Sequence, residues 1–214
     1  MPSKAFNSFK YNLVDVDRLL QAHGFLNKGT QGKKGLGHIT RSGVVMLCAA
    51  WEHYCESLIR ESVLYLCNQL ISPIKLPKEV QKEISKAVKE SKNELRPLHL
   101  SGDGWMQVYI DHANVLTMSL NTPKSGQLNV LFKRVIGIEM MSTKWTQSKN
   151  ILDDFVSVRG DIAHQGRRAD YVTISQLKAY RDQIRNYAVE TDSAISDHLK
   201  SVTKNNNKPW NVTT

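Results

Sequence analysis

The sequence predicts an all-α protein, an up-and-down helical bundle with additional helices between the long ones. Apolar residues recur at i, i+3, i+4 and i+7 over most of the chain, which is the spacing of one helix face. Only 6 prolines and 12 glycines interrupt 214 residues, and the alternating runs of a half-buried strand are few. That length, 41% hydrophobic and 23% charged, suits one sizeable core, so residues 1–200 read as a single domain.

The first helix is expected over residues 4–23, with Phe6, Phe9, Leu13, Val16, Leu19 and Leu20 on one face and a stop at His23-Gly24. Gly29 to Gly37 is a loop by composition. It follows no strand and lacks a Gly-Lys-Ser/Thr ending, so it is a poor phosphate-binding loop, although Lys28, Lys33 and Lys34 are available to a phosphate backbone. A long helix follows from Ile39 to Leu70, with Val44, Leu47, Cys48, Trp51, Cys55, Leu58, Ile59 and Leu66 as its apolar face. Trp51 reads as a core anchor. Pro73 and Pro77 end that helix.

Residues 78–92 form a short helix of mixed charge, solvated over most of its surface. Ser101-Gly102-Asp103-Gly104 is a turn. Trp105 to Leu120 is helical again, and Gln127 to Ile136 makes a shorter helix stopped at Gly137. Residues 146–164 bury Ile151, Leu152, Phe155, Val158 and Ile162. The last helix starts at Thr173, with Thr173 or Ser175 as its cap. Its core face is Ile174, Leu177, Tyr180, Ile184, Tyr187, Ile195 and Leu199. Residues 201–214, marked by Lys204-Asn205-Asn206-Asn207-Lys208-Pro209-Trp210, are expected to be a disordered tail.

Lys and Arg number 29 against 20 Asp and Glu, a formal charge of +9. Such a balance fits a polyanionic partner, nucleic acid first and an anionic membrane surface second, with a solubilising basic surface as the plain alternative. Cys48 and Cys55 stand about 10 Å apart along a helix, too far for a disulfide. With Cys67 they read as small core residues in a reducing compartment. No stretch has the ~18 uninterrupted apolar residues of a bilayer span. Met1 to Phe6 lacks a signal-peptide core. A cytoplasmic location without a membrane partner is therefore expected. His53, His99, His112 and His198 are scattered, and neither His-Glu-x-x-His nor Cys-x-x-Cys occurs, so no metal and no cofactor are expected.

The stretch that carries chemistry is Val158-Arg159-Gly160-Asp161-Ile162-Ala163-His164-Gln165-Gly166. Arginine grips phosphate with a planar fork of donors, and histidine exchanges a proton near neutral pH. Five residues apart on a helix, Arg159 and His164 differ in direction by about 140°. They converge if the helix ends near His164, or if a second copy across a twofold axis completes the cleft. A cation and a base so placed suit RNA cleavage. Histidine deprotonates the ribose 2′-hydroxyl, which attacks the adjacent phosphorus, while arginine steadies the charge on the phosphate oxygens. On spacing alone, a helix-end histidine near a surface arginine is the plainer reading.

The order of several pieces resembles the HEPN superfamily over roughly residues 40–200, most closely the branch typified by the RiboL-PSP-associated and MAE-like members. The pieces are Ala49-Ala50-Trp51-Glu52-His53-Tyr54, then Leu120-Asn121-Thr122-Pro123 before Leu131-Phe132, then Ile136-Gly137-Ile138, the Val158 to Gly166 stretch, and Val172-Thr173. The resemblance implies a helical bundle, often dimeric, and a metal-independent endoribonuclease with an Arg-x4-6-His motif, here Arg159 and His164. It also implies a toxin or phage-defence role, with an antitoxin or defence-system partner. A non-catalytic RNA-binding or protein-interaction module is the alternative. Where active members often carry Asn, Asp or His after the arginine, this chain has Gly160. Asp161 is either a substitute orienting acceptor or a solvated carboxylate. Gly166 stands where members paired with a nucleotidyltransferase antitoxin carry tyrosine, which argues against control by nucleotidylation there. Glu52 is a candidate to orient Arg159 or His164, or a plain surface carboxylate. Arg167, Arg168, Lys149 and Arg181 are candidate RNA-binding cations, or solvent-facing charge. Tyr171 reads as core packing before it reads as a base-stacking platform.

Overall fold

A computed structural model describes residues 1–27 and 35–211, and those residues fold as an all-α bundle without strands. Helix α1 spans Lys4–Asn27, α2 Gly37–Gln69, α3 Lys78–Lys89, α4 Gly104–Met118, α5 Ser125–Ile136, α6 Lys149–Gln165 and α7 Ile174–Thr203. Single turns of 3-10 helix at Pro73–Lys75, Arg96–Leu100, Met141–Lys144 and Gly166–Arg168 join them. Helix α2 is the axis, packed by α1, α4, α5, α6 and α7. The expected apolar face of α2 is the core: Val44, Leu47, Cys48, Trp51, Cys55, Leu58, Ile59 and Leu66 are all buried. The three cysteines are free and buried on this helix.

Three features differ from the sequence expectation. Helix α1 continues past His23-Gly24 to Asn27; one glycine costs a helix only about 1 kcal/mol, and His23 is buried just before it. The lysines Lys28, Lys33 and Lys34 lie outside the described residues. Tyr171 is 49% exposed, not core. The tail expected to be disordered from Ser201 is ordered through Asn211. Helix α7 runs to Thr203, and Trp210 is buried, its indole donating to the Asp192 carbonyl at 3.1 Å. The Asn211 N–H donates to Met1 O at 2.9 Å. One buried indole outweighs the polar composition around it.

The same corner ties the chain's two ends together. The Asp192 side chain is fully buried and accepts from the Ser3 hydroxyl, from Ser3 N at 3.4 Å and from Tyr54 OH at 3.5 Å. Ser3 Oγ also accepts from Phe6 N at 2.9 Å, and Glu61 of α2 accepts from Lys4 N and Ala5 N at 3.0 and 2.9 Å. Carboxylates thus answer the exposed donors and positive end of α1. Burial pushes the Asp192 carboxyl up to about 6, against an ordinary value of 3.8. The folded state therefore binds a proton more tightly than the unfolded one. Stability from this group is fully present below about pH 4 and is lost as pH rises through about 6. Asp192→Asn should be more stable than wild type at pH 7.5, by up to about 3 kcal/mol, with the difference vanishing near pH 4. Denaturant unfolding at both pH values checks this; a less stable variant at pH 7.5 contradicts it.

Candidate active site at the end of the motif helix

Helix α6 starts where Ser148 accepts from Asn150 N, and ends at Gly166. Gly166 has φ 56°, a conformation that glycine adopts without steric cost and that breaks the helix one residue after His164's neighbour Gln165. Leu152, Phe155 and Ile162 are buried as expected, Ile151 and Val158 are only partly buried, and Val156 is buried in addition. The helix is pinned on two sides. Phe155 packs on Tyr180 of α7 with ring centroids 5.2 Å apart. Asp153 accepts from Ser125 N and Ser125 Oγ, both at 2.7 Å, and so holds the start of α5. Lys124 donates to Ser157 Oγ at 2.8 Å. These joints fix the direction in which every α6 side chain leaves.

Arg159 and His164 leave in different directions. Arg159 is half-buried and faces α2, where its guanidinium acts on both Cys48 and Glu52. Burial holds the Glu52 carboxyl above its ordinary value, and the Arg159 guanidinium offsets only part of that rise. Burial pushes the Cys48 thiol up to about 11, so it stays protonated and is no nucleophile at neutral pH. Among the described residues Arg159 has no hydrogen bond and no ion pair, so its donors are available to a ligand. His164 is exposed and likewise unpartnered. It shares the outer stripe of α6 with Ser157, two turns back, where Lys124 is anchored.

On the helix surface Gly160 and Ala163 lie between Arg159 and His164. Both are small, and a Cβ at Gly160 would meet nothing within 4 Å. Packing therefore does not require glycine there. Asp161 is exposed on the far side of His164 from Arg159 and has no partner.

The other candidates separate. Glu52 is brought to Arg159 by the packing of α2 on α6. Arg167 and Arg168 are exposed on the turn directly after the motif. Lys149 is not part of that rim: it opens α6, roughly 22 Å from His164 along the axis. Arg181 is not free: Asp17 of α1 takes its Nε and Nη2 at 2.9 Å each, and Asp182 its Nη1 at 3.1 Å.

Sequence reasoning missed a groove beside the motif. His38, Arg41, Ser42, Val45 and Met46 of α2 line it with Ile162, enclosing about 460 Å³. Ser42, Val45, Met46, Ala49 and His53 form one exposed stripe of α2. The signal was present in the i, i+3, i+4 spacing of those residues, on the face that the core leaves open.

A family model described as RiboL-PSP-HEPN matches residues 11–197. No curated protein and no solved structure matches the chain.

Proposed function

The chain belongs to the RiboL-PSP-HEPN family, and from that premise we propose that it is a metal-independent endoribonuclease acting through Arg159 and His164. The observation that carries this reading is that Arg159 and His164, on the last two turns of one helix, make no hydrogen bond or ion pair among the described residues. His164 takes the proton of a ribose 2′-hydroxyl, and the 2′-oxygen attacks the neighbouring phosphorus. Arg159 donates to the phosphate oxygens as charge builds on them. The bond to the 5′-oxygen breaks, and a second His164 or water supplies its proton. The products are a 2′,3′-cyclic phosphate and a 5′-hydroxyl. Glu52 orients Arg159, and Arg167 and Arg168 hold flanking phosphates.

The offset of about 140° between the pair favours a cleft shared by two copies. Exposed Val45, Met46 and Ala49 of α2 border the motif and offer the second copy an apolar seat. An equimolar mixture of Arg159→Ala and His164→Ala chains tests the sharing. Composite sites predict recovery of up to about half the wild-type activity per mixed dimer; no recovery from chains shown to co-assemble contradicts them. A toxin or phage-defence role, with an antitoxin or defence-system partner, belongs to the same proposal and follows from family resemblance alone. A second reading, a non-catalytic RNA-binding module, is favoured by Gly160 and predicts RNA affinity without cyclic-phosphate products.

A further inference from the structure

Helix α3 carries a row of cations remote from the motif. Lys78, Lys82, Lys86 and Lys89 are all exposed. At 100° per residue, their directions fall within an arc of about 80°. Val80, Ile84 and Val88 are buried on the opposite side, so the row faces solvent squarely. Lys75 is exposed at the end of the preceding turn. Successive lysines stand about 4.5–6 Å apart along the axis. Lysines four residues apart repel and weaken a helix. The α3 carboxylates answer the row only in part: Glu79 pairs with Lys82 at 2.8 Å, while Glu83, which also acts on Lys86, is held by Arg134 at 2.6 Å. Among the described residues, Lys75, Lys78, Lys86 and Lys89 have no ion pair.

A face that only keeps a protein soluble is served as well by interspersed signs. A single-sign row fits a ligand whose own charges stand in a row, and a phosphate backbone is that ligand. An anionic membrane fits less well. A helix that binds a bilayer surface sets large apolar residues toward the lipid, and those of α3 are in the core. The exposed Ile71 and Ile74 precede the helix and are not on the row.

We propose that the lysine row of α3 is a second RNA-binding surface, one that follows the phosphate backbone without reading bases. Helix α3 packs on α4 and α5, and α5 in turn on α6. An RNA that engages both the row and the motif has to reach from α3 to α6. The proposal concerns binding and stands whether or not the chain cuts RNA.

The test uses the full chain and its fourfold variant Lys78→Gln, Lys82→Gln, Lys86→Gln, Lys89→Gln. A labelled RNA hairpin of about 30 nucleotides and an oligoribonucleotide of about 4 are titrated between about 50 and 200 mM salt, with chelator present. For the hairpin, the slope of log affinity against log salt should become shallower by about 3, and affinity at low salt should fall at least about tenfold. The short oligonucleotide carries only about three phosphates, so its slope and affinity should change less than the hairpin's. The variant's melting temperature should equal or exceed the wild type's, because repelling charges are gone. Equal slopes and affinities for the hairpin would overturn the proposal. So would row-dependent binding to phosphatidylserine vesicles without row-dependent binding to RNA.

Discussion

His164→Ala is expected to lower RNA cleavage about 10²–10⁴-fold in kcat/KM, the range for removing a general base. Arg159→Ala should cost about 10²–10³-fold, as for a lost donor to the developing charge. Neither change should unfold the chain. His164 is exposed and holds nothing in place. Arg159 is half-buried but unpaired, so no partner is orphaned beyond Glu52, whose carboxyl then loses the one neighbour pulling it down. Single-turnover cleavage and thermal melting, run on the same preparations, separate chemistry from stability. Full cleavage by both variants would remove the motif from the mechanism.

Trp51→Ala carries the largest expected effect on stability, about 3–5 kcal/mol. Trp51 is fully buried against Tyr54 and Tyr187, with ring centroids 5.6 and 6.4 Å away. Its indole N–H donates to Pro123 O at 3.2 Å. Alanine leaves a large cavity and an unpaired buried carbonyl. Trp51→Phe keeps most of the packing and loses the hydrogen bond, so it should cost about 1–3 kcal/mol. The Pro123 segment matters to the motif because Lys124 and Ser125, next in the chain, join α6 at Ser157 and Asp153. Denaturant unfolding measures both variants. A loss below about 1 kcal/mol for Trp51→Ala would mean that Trp51 is not the anchor described.

The helices were legible because burial sets their period. Leu152, Phe155 and Ile162 on α6, and the α2 face from Val44 to Leu66, could be read directly as core. The sequence left the cap of α7 between Thr173 and Ser175, and the capping box with Gln176 decides for Thr173. What one face meets was not legible. Arg181 looked like a free cation because its partner, Asp17, lies 164 residues away. The tail looked disordered because only the fold shows the slot that Trp210 fills. The lysines of α3 were visible in the sequence, but mixed charge on a short helix reads as solvation until Glu83 is seen to be held by Arg134 of α5. At the candidate site, Glu52 was open between an orienter of Arg159 or His164 and a surface carboxylate, and the packing of α2 on α6 brings it to Arg159. The His38–Arg41 groove needed the α2–α6 packing itself.

The most direct measurement is end-group analysis of RNA incubated in a chelator with wild type and with His164→Ala. Metal-independent cleavage by this site predicts 2′,3′-cyclic phosphate and 5′-hydroxyl ends with wild type, and their near absence with the variant. Ends bearing 5′-phosphate and 3′-hydroxyl, or cyclic-phosphate ends formed equally by both proteins, would contradict it.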